Sequence, residues 1–299
     1  MATTDGGGLP LGMVTPIVSM NPRVAADWES SATPEDLLAV ARAADRLGYH
    51  HLTCSDHVAV PAGATSSIGT RRGTRYYDPA TTLAWLAAST ERIGLATHVL
   101  VAGYHHPLAV AKAYGTLDVL SGGRVVLGVG IGSLEQEFAA LGVPFEDRAA
   151  RADGFLVALR AAWGRSEVDG LVVDPCATST EPELWIGGRS GASLRRALGH
   201  GTGWVPFGLD DDALRARLDA ARDTPLWAGR RTPFQLVLAA EDLDPMGDPA
   251  GAAERLGSLV GLGATVVDAR VRHRSRVHLV EQLEALAAVA RRVTPAPAA

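Results

Sequence analysis

The chain has 299 residues, of which 47% are hydrophobic, enough to bury a large core and too many for a disordered chain. Its formal charge is -5, so no basic surface invites nucleic acid or anionic lipid. Two cysteines, Cys54 and Cys176, are too few for a disulfide framework or a zinc cluster, and no apolar run reaches the roughly 18 residues of a membrane span. The opening residues lack the basic-then-apolar layout of a secretory leader, so the expectation is a soluble cytoplasmic protein with loose tails at 1–8 and 294–299.

In chain order, strand-like runs fall at Gly12–Val18, His50–Ser55, Ile93–Leu100, Val125–Ile131, Leu184–Gly187, Gly203–Pro206, Phe234–Ala240 and Ala264–Val271. Most are continuously apolar, as parallel strands buried on both faces read. Helical patterns follow each of them. The first opens with Thr33 as cap, Pro34 at the first position and Glu35 and Asp36 at the positive end, and Gly48 closes it. Asp78-Pro79 opens the second in the same way; the others are Leu108–Leu120, Arg148–Trp163, Ala192–His200, Asp211–Arg222, Ala250–Leu262 and Val277–Arg292. Strands and helices alternating in this way predict a single (β/α)8 barrel over 1–299, with an open doubly wound sheet as the alternative.

Two connections exceed the usual length of about 2–6 residues. They run from His57 to Tyr77 and from Gly132 to Asp147, both after strands, and therefore at the C-terminal face where barrel active sites form. The irregular stretch 164–182 follows a helix and fits the opposite rim equally well. Arg71, Arg72 and Arg75, with Tyr76 and Tyr77, make the first loop either a lid over an anionic group or a solvated basic loop.

The run GRVVLGVGIGSLEQEF carries glycines at 128, 130 and 132. It lacks the spacing and strand-end acid of a dinucleotide fingerprint and the lysine of a phosphate loop. The glycines then serve either the close approach of a flat ligand or tight barrel packing. Glu135 and Glu137, at a helix start, read as surface residues favoured by the helix dipole. Asp56 and His57 pair a carboxylate with an imidazole at a strand end, suited to holding a polar ligand edge and relaying a proton, or simply to capping a loop. Gly187, Gly188, Arg189 and Ser190 lead into a helix and form a possible anion site, or a plain turn. His50-His51 and His105-His106 lack metal-ligand spacing, no metal is assigned, and no segment matches a nucleophile elbow.

Four stretches together resemble the bacterial luciferase-like flavin and deazaflavin oxidoreductases, and in particular their coenzyme F420-dependent branch. These are SDHV at Ser55–Val58, ERIGLATHVLVAGYHHPLAVAKAYGTLDVLSGGR at Glu91–Arg124, the overlapping GGRVVLGVGIGSLEQEFAALGVPFEDRAARAD at Gly122–Asp153, and PELWIGGRSGASLRRALGHGTGWVP at Pro182–Pro206. The resemblance implies an F420-binding barrel that moves a hydride between the deazaflavin C5 and a small organic substrate. By the same resemblance Asp56 contacts the headgroup side and His57 faces the substrate as proton relay, with His98 as a second candidate. It also implies that Thr97, His98 and Val99 carry a bulge with a non-prolyl cis peptide, placed at His98–Val99, behind the ring; the alternative is a regular strand with His98 as a satisfied core histidine. The resemblance further implies that Gly130, Ile131, Gly132 and Gln136 contact the ring and ribityl chain and that Gly187, Gly188, Arg189, Trp204 and Val205 lie at the phosphate, with Trp204 alternatively a core residue. His98 departs from the small residues usual there, and Ile131, Ser133 and Leu134 replace the Trp, Thr or Glu of many relatives. The family is often dimeric, so a homodimer acting on a small molecule is expected. An FMN-dependent monooxygenase and a non-catalytic flavin-binding protein are the alternatives; an open void beside His57 would favour an enzyme, and a filled one sequestration.

Overall fold

A computed structural model describes residues 8–21, 25–61, 73–230 and 232–295. Eight parallel strands close into a barrel: β1 (Leu11–Met13), β2 (His51–Cys54), β3 (Gly94–Val101), β4 (Val125–Gly130), β5 (Leu184–Gly187), β6 (Gly203–Val205), β7 (Gln235–Leu243) and β8 (Val266–Val271), with β8 paired back to β1. Around them lie α1 (Pro34–Leu47), α2 (Pro79–Ala87), α3 (Pro107–Ser121), α4 (Glu135–Ala140), α5 (Arg148–Ala162), α6 (Gly191–His200), α7 (Asp211–Arg222), the short α8 (Pro225–Ala228), α9 (Pro249–Gly261) and α10 (Arg276–Ala290). This is the (β/α)8 architecture that the alternating pattern predicts.

Local chemistry sets the helix ends. Thr33 accepts from the Asp36 N–H and Asp36 returns the bond to the Thr33 N–H at 2.9 Å, a reciprocal cap, while Gly48 leaves α1 at φ 78°. Asp78 caps α2 through Thr81 N at 2.7 Å. Alternation divides each strand between two cores. Outward residues such as Leu52, Leu95, Leu127 and Ile186 pack under the helices. Ala96, Val126, Trp185, Val205, Val237 and Val266 fill the barrel interior.

Several expectations need correction. The first strand stops at Met13 instead of running to Val18. Pro16 has no N–H for a ladder, Ile17 adopts φ 73°, and its N–H bonds to Glu29 Oε2 at 2.8 Å, so the chain leaves the barrel there. Strand β7 continues past Ala240 to Leu243 and carries Glu241 and Asp242 to the mouth. The stretch 164–182 forms a hairpin of Glu167–Val168 with Leu171–Val172 and leads into the start of β5, on the rim away from the mouth. There Thr178 bonds Asp118 on α3 through its N–H at 2.9 Å.

Candidate functional site

The strand exits of β1, β2, β3, β6, β7 and β8 surround a cavity of about 290 Å³ at the C-terminal mouth. His57, His98 and Val205 among the expected site residues line it, together with Thr15, Ser55, Tyr76, Phe207, Glu241, Asp268 and Arg270. An adjoining opening of about 710 Å³ shares Asn21, Glu241 and Arg270 with it. Tyr76 belongs to the strand-2 loop and lies against the His57 ring, centroids 4.3 Å apart. Arg71 and Arg72 lie outside the described residues. Arg75 donates to the carbonyls of Glu29 at 3.0 Å and Ser30 at 2.9 Å, so its guanidinium ties the loop down.

The exit of β2 presents His57 with a partner that its spacing did not reveal. His57 Nδ1 lies 2.7 Å from Glu137 Oε2. The same oxygen accepts from the Tyr104 hydroxyl at 2.8 Å, and Glu137 Oε1 accepts from the N–H groups of Val58 at 2.8 Å and Ala59 at 3.1 Å. Glu137 is 1% exposed, which overturns its reading as a surface residue. Burial alone would raise the pKa of its carboxyl; hydrogen bonding and charge from His57, with Tyr104 and Ala59, outweigh that and hold it below the ordinary glutamate value. The signal was present: Leu134, Glu137 and Phe138 stand at i, i+3 and i+4, and the other two are buried. Glu135 and Gln136 are exposed.

Asp56 sits behind the cavity. Its Oδ2 accepts from Val101 N at 2.9 Å and lies 2.8 Å from His105 Nε2, so the carboxylate pins the end of β3. A cis peptide joins His98 to Val99, and the register of β3 against β4 shifts between Thr97 and Leu100, a bulge at the expected position. Thr97 is fully buried and donates to Gly128 O at 2.8 Å. Val99 explains the glycines. A Cβ on Gly130 would come within 2.6 Å of Val99 Cγ2, and one on Gly187 within 2.9 Å of Val99 Cγ1. Gly132 (φ 77°) abuts Phe138 and Val101 in the same manner. A Cβ on Gly128 would come within 2.1 Å of Thr97 O, so of the two readings of the glycine run, tight packing accounts for positions 128, 130 and 132. Ile131 is half-buried and packs on the core from the edge.

On the far side, Gly188 N–H donates to Val205 O at 3.3 Å, and Ser190 caps α6 by accepting from Ser193 N at 3.1 Å. Gly188 takes φ 133°, with Ser193 Cβ 2.8 Å from where a side chain would start. Arg189 is exposed beside this turn. Val205 points into the barrel, whereas Trp204 points outward, is fully buried and donates to Ser193 Oγ at 3.2 Å. Trp204 therefore packs α6 onto β6 and does not line the cavity.

The floor of the cavity holds Asp268, which the sequence did not single out. Asp268 is 2% exposed, and its carboxylate faces two imidazoles. Oδ1 lies 2.7 Å from His51 Nε2, and Oδ2 lies 3.7 Å from His98 Nε2. An acid in the middle of VVDARV, a strand whose first two residues are apolar and which also carries Arg270, was the available signal.

The luciferase-like monooxygenase family model matches residues 11–242. An F420-dependent glucose-6-phosphate dehydrogenase of Beutenbergia cavernae is 39% identical over 146 residues, 46% of this chain and 40% of that protein. A dibenzothiophene-sulfone monooxygenase of Rhodococcus erythropolis is 31% identical over 165 residues, 50% of this chain and 36% of that one. Among solved structures, an F420-dependent secondary alcohol dehydrogenase in complex with an F420–acetone adduct superimposes with a TM-score of 0.68 at 13% identity, covering 95% of this chain and 99% of that one. At that identity the likeness speaks for the fold.

Proposed function

The chain belongs to the luciferase-like monooxygenase family, and from that premise we propose that it is an F420-dependent oxidoreductase moving a hydride between the deazaflavin C5 and a small organic substrate. The observation that carries the reading is His57: its imidazole lines an open cavity and is backed by the buried carboxylate of Glu137. An open void beside this dyad favours an enzyme over a sequestering protein.

The residues present fit a flat ring with a phosphate-bearing tail. The cavity volume of about 290 Å³ is near the lower end of ligand sites, enough for a ring or a small substrate but not for both with a tail, which would extend outside it. His98, Val99 and Val205 would face the ring. Gly188, Arg189 and the N–H groups at the start of α6 would hold the phosphate. Asp56, Thr97, Gly130, Ile131, Gly132, Gln136 and Gly187 would act around or behind them, and Trp204 through the packing of α6. When bound, F420 supplies the carbon that accepts or donates the hydride. The protein's part is to orient the substrate, exclude water and move a proton. His57 would carry that proton at the ring nitrogen not engaged by Glu137, which fixes the tautomer and stabilises the imidazolium. His98 is the second candidate.

The relative named for a monooxygenase supports FMN as the alternative cofactor. The test is hydride transfer itself. Oxidised F420 with a panel of small alcohols, and reduced F420 with carbonyl and activated alkene acceptors, are followed by the absorbance of the oxidised deazaflavin. Turnover in either direction supports the reading; turnover only with reduced FMN and oxygen overturns it.

A further inference from the structure

A column of polar side chains runs up the inside of the barrel beneath the cavity. At its foot Trp185 Nε1 donates to Gln235 Oε1, and the buried His50 ring stacks on Trp185 at a centroid distance of 6.2 Å. His50 Nδ1 lies 3.0 Å from His51 Nδ1. His51, fully buried, brings Nε2 to 2.7 Å from Asp268 Oδ1. Asp268 Oδ2 is 3.7 Å from Nε2 of His98, and His98, with 28% of its side chain exposed, opens onto the cavity. The column is tightly walled: a Cβ on Gly12 would lie 2.2 Å from both Asp268 Oδ1 and His51 Cε1.

Burying two imidazoles and a carboxylate in the centre of a barrel is costly, and apolar residues normally fill that space. His57 does not need them, because Glu137 already serves it. Of the column's imidazoles, His98 is the one that lines the cavity, with Asp268 beside it. We propose that Asp268 is a positioning residue for His98: it orients the imidazole at the cavity floor and balances the charge when His98 takes a proton, while His51 holds the other oxygen of the carboxylate. The cavity then has two separately supported imidazoles, His57 with Glu137 and His98 with Asp268.

This rests on the proposed reading only for the reaction it serves. There, as the second proton-relay candidate, His98 would take the proton leaving a substrate hydroxyl at a ring nitrogen, while the electron pair of the C–H bond leaves as the hydride to the deazaflavin; reduction runs the same steps backwards. The electrostatics suit an acceptor that rests neutral. Burial holds His98 below the ordinary histidine value, Asp268 acts against this, and His51 and Arg270 act with it. His50 is pushed down to about 3 by burial and by His51, so it stays neutral. The other ionisable cavity residues are Glu241 on β7 and His57 after β2, with Tyr76 beyond it.

The test is a histidine titration by long-range 1H–15N NMR on the full chain without cofactor, so its outcome does not depend on which cofactor binds. Removing the carboxylate charge in Asp268→Asn is expected to lower the His98 midpoint by one pH unit or more. Removing the flanking imidazole in His51→Gln is expected to raise it. His57 serves as internal reference and stays put in both. Opposite shifts in two near-isosteric variants are not what a merely structural role gives. If Asp268→Asn fails to fold, the upward shift in His51→Gln decides alone. A His98 midpoint unmoved in whichever variants fold overturns the proposal. Should F420 fail to bind while the two shifts appear, the proposed reaction falls and the positioning role stands.

Discussion

At the level of single residues, the site is governed by which carboxylates are spent and on what. Asp56 reads from the sequence as the ligand contact, yet its Oδ2 is taken up by Val101 N and His105. Glu137, read as surface, supports His57. His57→Gln should lower kcat at least a hundredfold, since a positioned acid–base group is worth about 10²–10⁴ in rate, with cofactor affinity changed only slightly. Glu137→Gln keeps the shape but loses the charge, and should cost about ten- to a hundredfold in kcat by the same scale; steady-state kinetics on both variants check this. The sign of the pH effect follows from the direction of the shift. The Glu137 carboxyl is held below its ordinary value, so its contribution to stability is present above the unfolded-state value and is lost as pH falls through the folded-state value. Unfolding midpoints in the acid range below about pH 4 should therefore fall less steeply with pH in Glu137→Gln than in the parent chain. An equal slope in the two would contradict the assignment.

At the level of elements, the barrel was legible because its strands are apolar runs and its helices are capped by recognisable residues. The run of Leu, Val and Ala with Thr33-Pro34 before it and Gly48 after it leaves little choice but α1. Strand ends were less legible. The exit of β1 depends on a contact between Ile17 N and Glu29, and the extra length of β7 on pairing with β8 through Val271 and Leu243. Such contacts are made in space and leave no local pattern. Asp45 is a similar case: from the end of α1 it accepts from the N–H groups of Glu91, Arg92 and Ile93 at 2.9, 2.9 and 2.7 Å, clamping the start of β3. Asp45→Ala strands these donors and should cost about 3 kcal/mol, read by urea unfolding. Gly187→Ala drives a methyl against Val99 Cγ1 and should cost about 1–3 kcal/mol, again by urea, and should weaken ligand binding, because Val99 is joined to His98, which lines the cavity.

At the level of the whole molecule, the closed barrel collects residues from across the sequence, from Thr15 to Arg270, at one mouth. That assembly explains what the sequence could not convey. His57, His98 and Val205 belong to stretches that resemble the family and were found through them. Asp268 lies in the last strand, beyond the region carrying the resemblance, and its pairing with His51 and His98 exists only once β8 closes against β1 and β2. Among the described residues no helix is long and apolar enough to cross a membrane. We propose that this mouth is built for a deazaflavin. The measurement that tests it most directly is a fluorescence titration of the purified protein with F420 and, separately, with FMN. Saturable F420 binding in the micromolar range or tighter, with much weaker FMN binding and a marked loss of F420 affinity in Arg189→Ala, is the predicted result. Tighter binding of FMN, or binding of neither, would contradict it.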